Sequence, residues 1–208
     1  MINHLLITFE ILLAVVTPLI FLYLKGGWPL RSTTFCLVSI PILWYPIYAP
    51  IHELSHIAGT YLMGGTVVDY KLIPRFWLGE VGHAWIKTEG IAEPWQQLIT
   101  SLSPYVVDVL CIVMGILVLR RGFSKNPFLI GLVFMILCLR PAFDFVCESI
   151  AFLGGDHGDF YAIQEIIGGT YTWLFILLSL ALSLFSVLII LRRFTGPPET
   201  LTIQTKKP

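Results

Sequence analysis

Two histidines and a glutamate occur at a spacing that can hold a metal ion and use it. His52, Glu53 and His56 form a His-Glu-x-x-His motif inside a long apolar stretch. On a helix, residues four apart lie on one face, so His52 and His56 can point at a single ion. Glu53 lies about 100° further round the helix, where it can reach a metal-bound water rather than the metal. This pattern is typical of metal-assisted hydrolysis, in which zinc acidifies a water and a carboxylate accepts its proton.

The motif could also be a chance pairing in a packed helix. Its surroundings favour the metal site, because ionisable residues are costly to place in an apolar span and usually serve a function there. Zinc in a catalytic site needs a third protein ligand and one open position. The remaining histidines are poorly placed for this, so we expect the third ligand to be a carboxylate.

Composition predicts the setting of this motif. Hydrophobic residues make up 56% of the 208 residues and charged residues 12%, whereas a soluble domain carries about 25% charged residues. Apolar runs of about twenty residues predict an all-α, multi-pass integral membrane protein in a lipid bilayer. The formal net charge of zero gives no support to nucleic-acid binding. The four cysteines show no CxxC spacing and are predicted to be buried apolar side chains: Cys36, Cys111, Cys138 and Cys147.

The chain is predicted to form one domain, residues 1–208, with a core of about 34–160 and a polar tail at 194–208. We predict about five transmembrane helices, at 5–24, 33–63, 98–119, 128–153 and 171–191. Pro41, Pro46 and Pro50 are expected to kink or break the second span, with Pro50 starting a fresh helix that carries the motif. The pair Gly64-Gly65 is expected to end that helix.

A small membrane-associated β-hairpin is predicted after the second span. Segments 67–73 and 82–87 are rich in β-forming residues and alternate loosely between apolar and polar. The hairpin could hold an extended peptide along its edge by strand addition, or it could simply cap the helical bundle. The sequence favours neither role.

Basic residues predict an orientation. With five crossings and the N-terminus outside, nine basic residues fall on the cytoplasmic side and three on the other, as the positive-inside rule requires. The cytoplasmic set is Lys25, Arg31, Arg120, Arg121, Lys125, Arg192, Arg193, Lys206 and Lys207, and the opposite set is Lys71, Arg75 and Lys87.

Several aspartates are candidates for the third metal ligand. Asp144 fits best by depth, because spans two and four run in the same direction and place it level with the histidines. However, Arg140 lies four residues earlier and could hold Asp144 in a buried ion pair. Asp108 is a further candidate, or it could bond to a neighbouring helix. Asp156 and Asp159 have suitable chemistry but lie at or beyond the membrane edge, where Asp159 could instead cap the next helix.

These motifs together resemble the site-2 protease family, zinc metalloproteases that cut peptide bonds within the membrane. The resemblance covers about residues 34–159 and rests on His52-Glu53-Leu54-Ser55-His56, Gly64-Gly65, Ser103-Pro104 and Asp144. It implies Zn²⁺ held by His52, His56 and Asp144, with Glu53 as the general base. It also implies that the substrate is a membrane protein or transmembrane peptide.

Three other functions remain open on the sequence. The chain could be a catalytically inactive, site-2-protease-like scaffold that binds a protein partner and keeps zinc only for structure. It could be a zinc hydrolase that acts on a soluble substrate. It could also be a small transporter with a polar path along Asp108, Arg140, Asp144 and Glu148, although a chain without internal repeats gives this little support.

Overall fold

The fold is a bundle of long apolar helices with a small hairpin at one end. The computed structural model describes residues 16–73, 84–121, 124–155 and 157–195. The helices and strands are, in chain order, α1 (Thr17–Gly26), α2 (Leu30–Leu62), β1 (Thr66–Lys71), β2 (Trp85–Glu89), α3 (Pro94–Arg121), α4 (Pro127–Phe134), a π-helical turn (Met135–Leu139), α5 (Arg140–Leu153), α6 (Asp159–Ile167) and α7 (Gly169–Thr195).

Four helical segments are long and apolar enough to cross a membrane: Leu30–Leu62, Pro94–Leu119, Pro127–Leu153 and Gly169–Arg192. They match the predicted second to fifth spans and confirm that the described chain is mostly helical, with four segments suited to cross a membrane. The predicted first span, 5–24, lies largely outside the described residues, so the count of five is not confirmed. Most of the polar tail predicted at 194–208 also lies outside them, as does Asp156.

The second span is one continuous helix, so the prediction that Pro50 starts a fresh helix is wrong. Pro41, Pro46 and Pro50 all lie inside α2. Each proline removes a single backbone N–H, whereas ending the helix would leave several N–H and C=O groups without partners. In apolar surroundings that second cost is the larger, and transmembrane helices therefore tolerate proline.

The predicted end of this helix and the predicted hairpin are both confirmed. Gly64 adopts a positive φ of 80°, a conformation that glycine reaches without steric strain. A Cβ on Gly65 would lie only 2.6 Å from Ile91 Cγ1, so the chain passes Ile91 closely. Strands β1 and β2 then pair antiparallel, with a bulge between Val67 and Asp69.

Helices α2 and α3 approach closely one turn after the motif. A Cβ built on Gly59 would lie 2.2 Å from Ser103 Oγ and 3.2 Å from Thr100 Cα. The absence of a side chain at Gly59 therefore lets the two backbones pack together one turn beyond His56. Further along, the π-helical turn precedes Pro141, which has no N–H to continue the α-helical pattern, and the adjacent Arg140 is fully buried.

We expect Gly59→Ala to destabilise the protein by about 1–3 kcal/mol, because the added methyl group pushes α2 away from α3. Thermal unfolding of the purified protein in detergent measures the change. Gly169→Ala is the matched control, since a Cβ at Gly169 would meet nothing within 4 Å. Equal melting temperatures for the two variants would contradict the close packing of α2 on α3.

Candidate metal centre

Two histidines and one aspartate form the candidate metal site. His52 and His56 lie one turn apart on α2, and Asp159 is the first residue of α6. The Nε2 atoms of the two histidines are 3.2 Å apart. Asp159 Oδ2 lies 3.2 Å from Nε2 of His52 and 2.9 Å from Nε2 of His56. Ligand atoms about 2.0–2.1 Å from a tetrahedral zinc lie 3.3–3.4 Å apart, so these three atoms fit around one ion.

A hydrogen bond at His56 Nδ1 determines that the other ring nitrogen, Nε2, faces the candidate site. His56 Nδ1 lies 2.9 Å from the carbonyl oxygen of Thr100 on α3. A carbonyl oxygen can only accept, so Nδ1 carries the proton and Nε2 of the neutral ring presents a lone pair. Metal-binding histidines are usually held by such a partner on their other nitrogen. A neutral His56 ring is therefore held in the tautomer that can bind a metal.

His52 has a carboxylate behind it instead of a carbonyl. Its Nδ1 lies 3.6 Å from Asp144 Oδ2, slightly longer than a hydrogen bond, and has no hydrogen-bond partner among the described residues. The negative charge of Asp144 favours a proton on Nδ1, which again leaves the lone pair on Nε2. Two lone pairs and a carboxylate oxygen then converge, and a cation among them removes their mutual repulsion.

Residues from two other helices hold Asp159 in place. Tyr105 on α3 donates its hydroxyl to Asp159 Oδ2 at 3.1 Å. The backbone N–H of Asp159 donates to Glu148 Oε2 of α5 at 3.2 Å. A Cβ on Gly158 would lie 2.7 Å from the same Glu148 oxygen, so glycine permits this approach. Asp159 is thus oriented before a metal binds.

Electrostatics keep Asp159 ionised. Burial alone would raise its pKa, but attraction to His56 and the hydrogen bonds with His52 and His56, which protons on their Nε2 atoms supply when no cation is bound, hold the pKa of Asp159 below its ordinary value. A carboxylate must lose its proton to bind a metal. Asp159 is therefore ready to act as a ligand at neutral pH.

Asp144 and Asp108, the other aspartates considered from the sequence, belong to an ionic cluster around Arg140. Arg140 is fully buried and donates to Asp144 Oδ2 at 2.8 Å and to Asp108 Oδ1 at 2.6 Å. The alternatives of an Arg140–Asp144 ion pair and of a bond from Asp108 to a neighbouring helix are thus both present. Asp144 lies on the outer, Nδ1 side of His52, whereas Asp159 faces Nε2 of both histidines.

The structure therefore groups His52, His56 and Asp159, where the sequence ranked Asp144 first and left Asp159 as a less favoured candidate. Tyr105, Thr100 and Glu148 were not predicted as parts of the site. The signals for Asp159 were its own ligand chemistry and the glycine-rich segment before it, where Gly155 adopts a positive φ of 75°. Such a turn can bring the chain back over the end of the bundle.

Glu53 is a buried carboxylate beside the two histidines of the candidate site. It is 7% exposed and interacts electrostatically with His52 and His56. Within the part of the chain that the structure describes, no protein group forms a hydrogen bond or ion pair with its side chain. An unpartnered carboxylate at this position is free to accept a proton from a water at the site.

Two imidazole nitrogens and one carboxylate oxygen form the ligand set of catalytic zinc sites, which keep their fourth position open. Comparisons with models of protein families, with curated proteins and with solved structures find no significant match to this chain.

Proposed function

We propose that this chain is an intramembrane zinc endopeptidase, as its resemblance to the site-2 protease family implies. The observation that carries the proposal is the convergence of His52 Nε2, His56 Nε2 and Asp159 Oδ2, with Glu53 beside them. These residues lie on or against an apolar helix long enough to cross a membrane. Substrates that reach the site are therefore expected to be membrane proteins or transmembrane peptides.

The chain's own residues account for positioning and proton transfer. His52, His56 and Asp159 would hold the zinc, which when bound supplies the Lewis acidity that activates a water and polarises a peptide carbonyl. Glu53 accepts the proton of the attacking water and delivers it to the nitrogen of the departing amine. Thr100 and Tyr105 fix the orientation of His56 and Asp159, so little reorganisation is needed during the reaction.

A transmembrane substrate must partly unwind before its peptide bond can be attacked, because a helix keeps each carbonyl in its own hydrogen bonds. Strands β1 and β2 follow α2 directly and form a two-stranded sheet. A free edge of this sheet could receive the unwound segment by strand addition. The simpler role as a cap on the bundle stays open for the hairpin.

Removal of the metal provides the direct test. We expect purified protein in liposomes to cleave a single-span model peptide, to lose this activity after chelation and to recover it when zinc is returned. His56→Ala should remain inactive after the same zinc addition, because it lacks one ligand. Cleavage by metal-depleted wild-type protein would overturn the zinc mechanism.

A further inference from the structure

The exposed tyrosines and tryptophans gather at one end of the bundle. Among the described residues, every tyrosine or tryptophan with a side chain at least 40% exposed lies at the end of α2, on the hairpin, or at the start of α3 or α7. We call this set the aromatic rim: Tyr61, Tyr70, Trp85, Trp95, Tyr171 and Trp173.

Direct contacts show that these element ends lie at one level. Gln96, beside Trp95, donates from Nε2 to the carbonyl oxygen of Met63 at 3.0 Å, which ties the start of α3 to the end of α2. The rings of Phe152 and Trp173 lie 5.4 Å apart, which joins the end of α5 to the start of α7. Exposed tyrosine and tryptophan are enriched where a membrane protein meets the headgroups. The rim therefore marks one membrane boundary.

The opposite end of the bundle carries most of the basic side chains. Tyr23 of α1 donates its hydroxyl to the carbonyl oxygen of Pro127 at 2.9 Å, so the end of α1 and the start of α4 meet there. Exposed basic residues at this end are Lys25, Arg31, Arg121, Lys125 and Arg192. The rim end has only Lys71 and Lys87 among the described residues. By the positive-inside rule, the basic end faces the cytoplasm and the rim faces away from it.

The metal centre lies close beneath the rim. His56 precedes Tyr61 by five residues on α2. Thr100, which accepts the hydrogen bond of His56, follows Trp95 by five residues on α3. At about 1.5 Å per residue, both helices place the site about 7–8 Å below the rim. The hydrocarbon core is about 30 Å thick, so this depth is within the leaflet next to the rim.

We propose that the metal centre works in the non-cytoplasmic leaflet and takes peptide bonds in the first turns of a transmembrane segment beneath that surface. The substrate part of this inference rests on the proposed function, whereas the placement of the site does not. The short depth also means that a substrate needs to unwind only near its end. Bonds near the bilayer centre or in the cytoplasmic leaflet are out of reach.

Labelling of single added cysteines in intact cells tests the placement. The native cysteines of the full chain are buried or half-buried, so the wild type provides the baseline for a membrane-impermeant maleimide. Glu89→Cys places a thiol at the rim end, and Lys125→Cys is the matched variant at an exposed position at the basic end. We expect at least tenfold more labelling of Glu89→Cys than of Lys125→Cys, and equal labelling after permeabilisation. Preferential labelling of Lys125→Cys overturns the inference.

Mapping the cut in a single-span substrate tests the reach of the site. The same apolar segment is inserted in each of the two orientations, and the products are identified by mass spectrometry. We expect cuts within the first two or three turns below the non-cytoplasmic surface in both orientations. Cuts in the cytoplasmic half overturn the inference. If neither substrate is cleaved while the labelling pattern holds, the endopeptidase proposal fails and the placement stands, so the two failures are distinguishable.

Discussion

Replacement of Glu53 by glutamine is expected to leave zinc binding intact and to abolish peptide-bond cleavage. Glutamine has nearly the shape of glutamate but cannot accept a proton, and general-base catalysis contributes roughly 10²–10⁴-fold to rate. No protein group forms a hydrogen bond or ion pair with the Glu53 side chain among the described residues, so the exchange breaks no such contact. Zinc content by elemental analysis and cleavage in liposomes are measured on the same preparation.

Glu165→Gln is the control for this experiment. Glu165 is exposed on α6, the helix that begins with Asp159, and the same chemical change there should alter neither zinc content nor turnover. Turnover near the wild-type rate in Glu53→Gln would exclude the general-base role. An inactive scaffold, by contrast, would keep its partner binding and its cellular phenotype in Glu53→Ala.

The parts of the fold predicted from the sequence are those fixed by local patterns. Four spans follow from apolar length alone, because a helix must satisfy its own backbone to cross a membrane. Gly64-Gly65 and the β-forming segments likewise identify the helix end and the hairpin. The effect of Pro50 was misjudged, because the usual rule for soluble helices understates the cost of unpaired backbone groups in apolar surroundings.

The sequence singled out only those site residues that lie together on one helix. His52, Glu53 and His56 owe their arrangement to the period of α2, which can be read directly from the sequence. The third ligand depends on tertiary structure. Counting depth along straight spans favours Asp144, but it cannot show that the turn after α5 folds Asp159 back over the motif. The spacing of Arg140 and Asp144 did predict their ion pair, but not that the pair lies behind His52.

The buried cluster around Arg140 gives Asp144 a role in the proposed zinc site beside that of Asp159. Asp144 accepts from Arg140 and lies behind His52 Nδ1, so its charge supports the proton on that nitrogen. A carboxylate behind a metal-binding histidine raises the basicity of the ligand and fixes its tautomer. In the proposed zinc site, Asp144 would act on the metal through His52, and Asp159 would act by direct contact.

Asparagine substitutions at three aspartates are expected to separate these roles. Asp159→Asn removes a charged ligand and should reduce zinc content from about one ion per chain to near zero. Asp144→Asn should still bind one ion at saturating zinc, with affinity about 10–100-fold weaker, because only the partner of His52 changes. Metal content after dialysis and competitive titration with a zinc chelator measure the two effects.

Asp108→Asn is the matched control. Asp108 is buried in the same cluster and forms an ion pair with Arg140. Among the described residues, it has no hydrogen bond or ion pair with either histidine. Its zinc affinity should remain close to that of the wild type, so any general effect of disturbing the cluster is separated from the effect on His52. The reverse pattern, with zinc lost in Asp144→Asn and kept in Asp159→Asn, would make Asp144 the direct ligand. Wild-type zinc affinity in Asp144→Asn would instead show that the Arg140 cluster only connects α3 to α5.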